Sequence, residues 1–222
     1  MINLAVAAAA VGVAGLGAVY MTDLRREKSR RSVAFDDCHD LLQDRSLHLE
    51  EDGYPSLAGR FDGHEVGLKL LADTIQLRKL PILWLMVTVK RKLPVPGVLD
   101  LMVRASNSEY YSPHGELNKA IPLPKGWHDQ LTIRSDKANA MSPLLGPLEG
   151  QVNDFLDDGR GKEILITPRG VRLVYRFAES DRGHYLVTRL PKFEQQKVEM
   201  HTASMLLRQA MNICDTVEHC AQ

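Results

Sequence analysis

Residues 109–116 read EYYSPHGE and hold the side chains of this chain that are best suited to chemistry. Glu109, His114 and Glu116 are acid–base candidates, because carboxyl and imidazole groups can exchange protons with a substrate that a fold holds beside them. That role requires the three side chains to converge on one pocket and their pKa values to shift. A membrane-anchored enzyme that uses this loop is therefore one hypothesis for the chain.

The loop that contains these residues, 106–128, is polar and has three prolines and two glycines. A loop of this length in a compact domain is usually functional or disordered. Tyr and His side chains combine stacking area with hydrogen bonds, which suits a ligand or a protein partner. A mobile excursion without a ligand is the alternative. The predicted binding residues are Tyr110, Tyr111, His114 and Glu116.

The run DDCHD at 36–40 contains several types of metal ligand. Consecutive residues of a helix point about 100° apart, so these side chains cannot all face one ion, and no second ligand pair follows at metal spacing. We interpret the run as a solvated acidic helix face and predict no metal. No phosphate-binding, dinucleotide or nucleophile-elbow motif occurs, so we predict no cofactor. The three cysteines, Cys38, Cys214 and Cys220, are too few for a disulfide framework.

The residues from Ile2 to Met21 carry no charged side chain. A helix of this length, at about 1.5 Å per residue, spans roughly the 30 Å of a bilayer core. We therefore predict a transmembrane helix over 1–21. A cleaved signal peptide is the main alternative, but residues 1–4 lack the basic side chain of such a peptide. A buried helix of a soluble protein is the second alternative.

A cluster of basic residues follows the apolar stretch, and residues 1–4 contain none. Because Lys and Arg close to a span are retained on the cytoplasmic side, we predict a single-pass membrane protein with its N-terminus outside and its C-terminal domain in the cytoplasm. Basic side chains here can also contact anionic headgroups, which makes membrane lipids the predicted partner of residues 2–31. The predicted membrane-surface residues are Arg25, Arg26, Lys28, Arg30 and Arg31.

Beyond the span we expect a charged juxtamembrane helix or stalk over 22–45 and a soluble domain over 46–222. Asp62-Gly63 is a strong two-residue hairpin signal, and the apolar run 80–89 predicts a buried strand paired with a strand at 98–103. The predicted fold class is α+β, a mainly antiparallel β domain with two packed helices. The predicted strands are 47–49, 57–61, 66–71, 80–89, 98–103, 131–134, 163–167, 171–177 and 184–190.

Two helices are expected in the domain. Pro147 opens the first, which Gly159 ends. The second runs from about Phe193 to Glu218, and its apolar residues alternate spacings of three and four. Such a seam packs on the domain's own sheet or on another chain, and we expect the domain's own sheet. Small residues at every fourth position of the span are compatible with a homo-oligomer, and the alternative is that Ala and Gly are simply common in such spans.

Basic and acidic residues are equal in number, 28 each, so the formal net charge is zero. That balance argues against a nucleic-acid partner, which requires a basic surface. The leading hypothesis is a membrane-anchored protein whose cytoplasmic domain binds an unknown protein partner or assembles at the membrane. The loop enzyme is the alternative, and a cleaved and exported protein is the third reading.

Overall fold

The computed structural model describes residues 2–74, 80–106 and 108–220, without the side chains of residues 2–11, 13, 16, 23 and 24. Its helices are α1 Ile2–Ser32, α2 Ala138–Met141, α3 Leu145–Leu156, α4 Arg182–Thr188 and α5 Met200–Cys220. Its strands are β1 Gln43–Leu49, β2 Pro55–Phe61, β3 His64–Asp73, β4 Ile82–Lys90, β5 Leu99–Val103, β6 Lys119–Ile121, β7 Leu131–Ser135, β8 Gly161–Thr167 and β9 Gly170–Glu179.

The strands of the described residues form one sheet in the order β1-β2-β3-β4-β9-β8-β5-β7-β6. Every neighbouring pair is antiparallel. The predicted α+β class with a mainly antiparallel sheet is confirmed. The Asp62-Gly63 hairpin is also confirmed, with φ of 47° and 82° at the two residues, which are the positive values that a tight two-residue turn requires.

The pairing predicted between the strands at 80–89 and 98–103 is wrong. β4 pairs with β3 and β9, whereas β5 pairs with β8 and β7. The chain after β4 instead runs along the turn of the β8–β9 hairpin, where Arg91 and Leu93 donate their backbone N–H groups to residues 169 and 168. A hairpin from later in the chain is therefore inserted between the two strands, and a local turn signal cannot report that.

The strand predicted at 184–190 is also wrong, because this segment contains the helix α4. Asp181 caps the helix by accepting the backbone N–H of His184 at 2.5 Å. Arg189 ends it in the left-handed conformation, at φ 59°. No residue of α4 is buried, so the local cap decides its structure and the alternating side chains do not.

Helices α3 and α5 cover one face of the sheet, which we term the helix-covered face. The predicted seam packs on the domain's own sheet, as expected, with α5 against β4 and β9. The helix begins at Met200 instead of Phe193, and Met200 is exposed. The buried residues of the seam are Ala203, Leu207, Ala210, Cys214 and Val217.

The segment predicted as a stalk over 22–45 is not a single helix. Helix α1 ends at Ser32, a 3-10 helix covers Asp36–Leu41, and β1 begins at Gln43. Phe35 and Cys38 are fully buried in the core, because the 3-10 turn directs them inward. The second half of the segment is thus a part of the domain.

In the part of the chain that the structure describes, no helix combines the length and the apolar content that a membrane crossing requires. Residue 1 and most side chains of residues 2–13 lie outside the description. The transmembrane helix over 1–21 stays a prediction from the sequence.

Candidate functional site

Tyr111 and Ser112 of the loop that the sequence singled out contact Trp84 and Asp100 on the opposite face of the sheet. We term this face the loop-covered face. Asp100 of β5 and Glu163 of β8 both lie on this face and are both 0% exposed. Two carboxyl groups without access to water require partners inside the protein, and the loop supplies them.

Ser112 connects the two buried carboxyl groups. Its Oγ lies 3.1 Å from Asp100 Oδ2 and also bonds to Glu163 Oε1. A hydroxyl group donates only one proton, so the two contacts are satisfied together when Glu163 is protonated and donates to Ser112, which donates to Asp100. Arg172 of β9 donates to the other oxygen of Glu163 at 3.0 Å.

The pKa of Glu163 is raised to about 7, first by its burial and then by the charge of Asp100. Arg172 and the bond from Ser112 act in the opposite direction but do not compensate. Near neutral pH this carboxyl group can therefore hold or release a proton, whereas an exposed glutamate is ionised.

His114 lies beside Asp100 and is buried, not accessible. A 3-10 turn over Pro113–Gly115 places it there, and Ser112 caps that turn by accepting the His114 N–H at 3.0 Å. Its Nε2 is 3.2 Å from Thr132 Oγ1, and its Nδ1 is 3.3 Å from Asp100 Oδ2. The imidazole ring therefore serves to hold the loop on the sheet.

A second polar pair joins the loop to the start of β8. Lys162 donates from Nζ to Glu109 Oε1 at 2.8 Å and also to the carbonyl oxygens of Val103 and Arg104. Ser106 donates to Glu109 from its backbone N–H and its hydroxyl. Burial acts to raise the pKa of Glu109, but the bonds from Lys162 and Ser106 outweigh it and lower that pKa to about 2.

The acid–base candidates of the sequence do not converge. Glu109 is ionised and fully paired, His114 is buried against Asp100, and Glu116 is exposed. These positions do not meet the requirement of the loop-enzyme hypothesis, namely that three groups share one pocket.

The predicted binding residues fall into two groups, one exposed and one packed against the sheet. Tyr110 is 53% exposed and makes an edge contact with Tyr111 at 5.7 Å between ring centroids. Tyr111 packs on Trp84 of β4 at 6.2 Å. Tyr110 and Glu116 are therefore accessible to a partner, whereas Tyr111 and His114 hold the loop in place. Residue 107 of this loop lies outside the described residues.

The five predicted membrane-surface residues lie in the last two turns of α1. Arg25, Arg26, Lys28 and Arg30 are exposed, and Arg31 is half-buried. Arg25, Arg26 and Lys28 present their charges to solvent, whereas Arg30 lies 3.8 Å from Glu27 Oε2. Arg31 instead donates to the carbonyl oxygen of Asp52 at 2.8 Å and lies over the Tyr54 ring at 5.0 Å.

Within the described residues, no group of three or more His, Cys, Asp and Glu side chains is arranged to hold a metal ion. In the DDCHD run, Asp36, Asp37 and Asp40 are exposed, as a solvated acidic surface requires. Cys38 is buried and donates its thiol to the carbonyl oxygen of Val198 at 3.2 Å. Burial raises the pKa of this thiol to about 12, so it is neutral at physiological pH.

Sequence reasoning missed Asp100, Glu163, Lys162 and Arg172. The available signal was a charged residue inside an apolar strand, as in LDLMV at 99–103 and KEILI at 162–166. Such charges are rarely buried unless they are paired. The loop partners of Lys162 and Glu163 could not be assigned, because Glu109 and Ser112 lie 53 and 51 residues away along the chain.

No protein-family model matches the chain, and no curated protein matches it. Among solved structures, it is similar to the crystal structure of the mycobacterial trehalose monomycolate transport factor A, TtfA. That similarity covers 80% of this chain and 78% of the other, with a TM-score of 0.40 and 10% sequence identity. A similarity of this size carries no argument about function.

Proposed function

We propose that the protein is a single-span membrane-anchored binding protein whose domain is held at the cytoplasmic membrane surface and binds its partner there. The observation that carries this proposal is the attachment of α1 to the domain. Gln196 is buried and donates to Glu27 Oε1 at 2.8 Å. Together with the contacts of Arg31, this bond joins the C-terminal end of α1 to the domain, which supports an anchor held in a set direction.

An exposed apolar surface beside α1 supports the same proposal. Leu186, Val187 and Leu190 are 56%, 84% and 49% exposed, and they belong to α4 and the residues after it. Tyr20 of α1 lines a cavity of about 520 Å³ together with Leu190 and neighbouring residues. We term Leu186, Val187 and Leu190 the α4 patch.

A bilayer is the occupant that fits the α4 patch. Leu190 of the patch shares its cavity with Tyr20, near the end of the predicted span, and Arg26, Arg30 and Lys192 line the same cavity. Apolar side chains within a basic rim enter the boundary between headgroups and acyl chains to a depth of about 5–10 Å. The rim then contacts anionic headgroups, each basic residue contributing roughly 1 kcal/mol.

The partner site of this proposal is the outer surface of the 106–128 loop. Tyr110 supplies an exposed ring, and Glu116 supplies an exposed carboxylate. The buried contacts of Tyr111, Ser112 and His114 hold the loop in one conformation, so a partner does not have to order it. A second copy of the chain is the other assembly that fits the predicted small-residue stripe of the span.

The test reconstitutes the full chain in vesicles that contain anionic lipid. Val187→Cys is labelled with an environment-sensitive fluorophore after Cys220→Ser removes the exposed native thiol, and Leu47→Cys in the same background is the control. Leu47 is also exposed but lies on β1. We expect lipid-borne quenchers to quench the label at 187 and not the label at 47. Equal, weak quenching at both positions would disprove contact between the α4 patch and the bilayer.

A topology reporter fused after Gln222 tests the orientation separately. We expect a cytoplasmic signal from the membrane fraction, because the basic residues follow the span. A signal from outside the membrane would overturn the orientation, and recovery of the reporter in the soluble fraction would overturn the anchor.

A further inference from the structure

A cavity of about 410 Å³ lies at one end of the four central strands. β4 and β8 begin at this end, and β5 and β9 end there, because neighbouring strands are antiparallel. The turn between β1 and β2, which contacts α1, lies at the same end of the sheet. We term this cavity the sheet-end pocket. Its volume lies in the range of about 300–1,000 Å³ that is typical of small-molecule sites.

Two β-bulges form the wall of the sheet-end pocket. Lys162 is the extra residue in the pairing of β8 with β9, and Phe177 is the extra residue in the pairing of β9 with β4. Bulges reorient side chains and are over-represented next to functional sites. Arg104, which follows β5, adopts a left-handed φ of 51°, an uncommon conformation for a residue other than glycine.

The pocket carries an excess of positive charge. Lys162 and Glu109 neutralise each other at its wall. Arg104, Arg160 and Arg176 also line it, and within the described residues none of the three has a carboxylate within ion-pair distance. One acidic side chain, the exposed Glu179, completes the charged lining.

The bonds that these arginines do make leave donors free. Arg160 donates to the carbonyl oxygens of Arg176 and Phe177, and Arg176 donates to that of Gly159. Arg104 donates from Nε to Gln130 Oε1. A guanidinium group has five N–H donors, so each side chain is positioned by neutral acceptors and retains N–H groups for an anion.

The remaining lining is mainly apolar, with Ser106 and His128 as its polar side chains. Trp84 is buried and presents part of its ring to the pocket, and Leu156 closes the side next to α3. Half-buried aliphatic side chains complete this lining, namely Leu80, Ile82 and Val103. Burial of this surface by a ligand is favourable because it removes apolar area from water.

We infer that the sheet-end pocket binds a small amphiphile with an anionic head, a carboxylate or a phosphate, joined to an apolar group. The head pairs with the guanidinium groups of Arg104, Arg160 and Arg176, which suit both anions because their donors match two oxygens at once. The apolar group covers Trp84 and the aliphatic lining. The ligand is drawn either from a membrane lipid or from a soluble organic acid or phosphate.

Titration calorimetry on the full chain in nanodiscs of zwitterionic lipid tests this inference, with empty nanodiscs as the blank. The probes are hexyl phosphate, hexanoate, hexanol and inorganic phosphate. We expect both hexyl anions to bind at least about tenfold more tightly than hexanol, the smallest ratio expected for charge-assisted hydrogen bonds. A preference for hexyl phosphate points to a phosphate-containing ligand, and a preference for hexanoate points to an organic acid.

The matched variants remove equal charge inside and outside the pocket. Arg104→Gln/Arg176→Gln should weaken the binding of hexyl phosphate at least about tenfold. Arg45→Gln/Arg60→Gln, on β1 and β2, should leave it within about twofold, because exposed charges far from a site are screened by salt. If the double variant is unstable, Arg104→Gln alone serves as the test. The side chain of Arg104 bonds only to the exposed Gln130 among the described residues, so its loss should not unfold the protein.

Three results would overturn the inference. Equal affinity for hexanol would show an apolar cavity without anion recognition, and equal affinity for inorganic phosphate would show that the apolar lining contributes nothing. Equal weakening by the two double variants would show nonspecific attraction. All of these outcomes are independent of the orientation in the membrane, so failure here leaves the proposed function standing.

Discussion

The two faces of the central strands β4, β5, β8 and β9 are built from different chemistry. On the helix-covered face, alternate residues of β4 and β9 are aliphatic or aromatic and pack under α5. On the loop-covered face the same two strands and β5 and β8 present Trp84, Asp100, Glu163 and Arg172 to a loop. The first face is stabilised by apolar burial that is roughly proportional to area. The second depends on pairs in which each group needs its partner.

This difference predicts how the two faces respond to substitution. Removing an apolar side chain costs transfer free energy and leaves a cavity, and removing a second apolar side chain adds to that loss. Removing one member of a buried polar pair leaves its partner without compensation, and removing both members costs less than removing one. The loop-covered face should therefore show strong coupling between substitutions.

Lys162→Met should produce the largest effect on stability. It leaves the carboxylate of Glu109 buried, with Ser106 as its remaining donor in the described structure. Loss of one partner of a buried ion pair costs about 3–5 kcal/mol, measured as the free energy of unfolding in urea. The double variant Lys162→Met/Glu109→Gln should recover a substantial part of that loss.

Lys90→Met is the matched control for this variant. Lys90 and Glu65 form an ion pair at 3.9 Å with both side chains exposed, and such pairs contribute about 0–1 kcal/mol. Leu207→Ala on the helix-covered face should cost about 2–5 kcal/mol. If Lys162→Met and the double variant are equally unstable, the coupling assigned to the loop-covered face is wrong.

The helix-covered face could be predicted from the sequence, and the loop-covered face could not. The alternation of Val171, Leu173, Tyr175 and Phe177 predicted one buried face of β9, and the structure confirms it. Such periodicity is a local signal. The partners of Asp100 and Glu163 depend on the adjacency of β5 and β8, which lie about 60 residues apart along the chain. No local signal reports that adjacency.

The same distinction between local signals and long-range contacts applies to the candidate site. Sequence reasoning selected the loop whose Ser112 contacts the buried Asp100 and Glu163, because the length and composition of that loop are visible in the sequence. It treated His114 as accessible, whereas the 3-10 turn and the contact with Thr132 bury it. Glu109 was taken as an acid–base candidate because its partner Lys162 belongs to a strand 53 residues later. The sequence thus indicated the loop, whereas long-range contacts determine which of its side chains are buried and paired.

The pH dependence of stability provides the second test. The pKa of Glu163 is about 7 in the folded protein because of burial and Asp100, against 4.5 for an ordinary glutamate. At this group the folded state therefore binds more protons than the unfolded state between these values, and the contribution of Glu163 to stability is lost as pH rises through that window. The contribution of this group is on the order of 1 kcal/mol per pH unit.

Glu163→Gln should remove this contribution. The groups that face Glu163 are Asp100, Ser112 and Arg172, and an amide replaces the protonated carboxyl group among them without a charge. We expect wild type and variant to match near pH 4.5 and the variant to be the more stable above pH 7, in urea unfolding at each pH. Glu65→Gln, at an exposed site, should follow wild type throughout. A constant difference between Glu163→Gln and wild type would rule out the proton assigned to Glu163.

The smallest expected effect on stability concerns two buried tyrosine hydroxyl groups, one on the helix-covered face and one on the loop-covered face. Tyr54 lies in the helix-covered core and Tyr111 under the loop, and neither hydroxyl has a hydrogen-bond partner among the described residues. Because an unsatisfied buried hydroxyl is unfavourable, Tyr54→Phe and Tyr111→Phe should leave stability unchanged or raise it by up to about 1 kcal/mol. Tyr175→Phe is the control, since its hydroxyl donates to Asp158, and its loss should cost about 0.5–1.5 kcal/mol.

If Tyr111→Phe costs as much as Tyr175→Phe while Tyr54→Phe does not, the loop-covered face holds an ordered water at this position. The polar face would then be hydrated as well as paired, and the contrast between the two faces would be sharper than the protein contacts alone define.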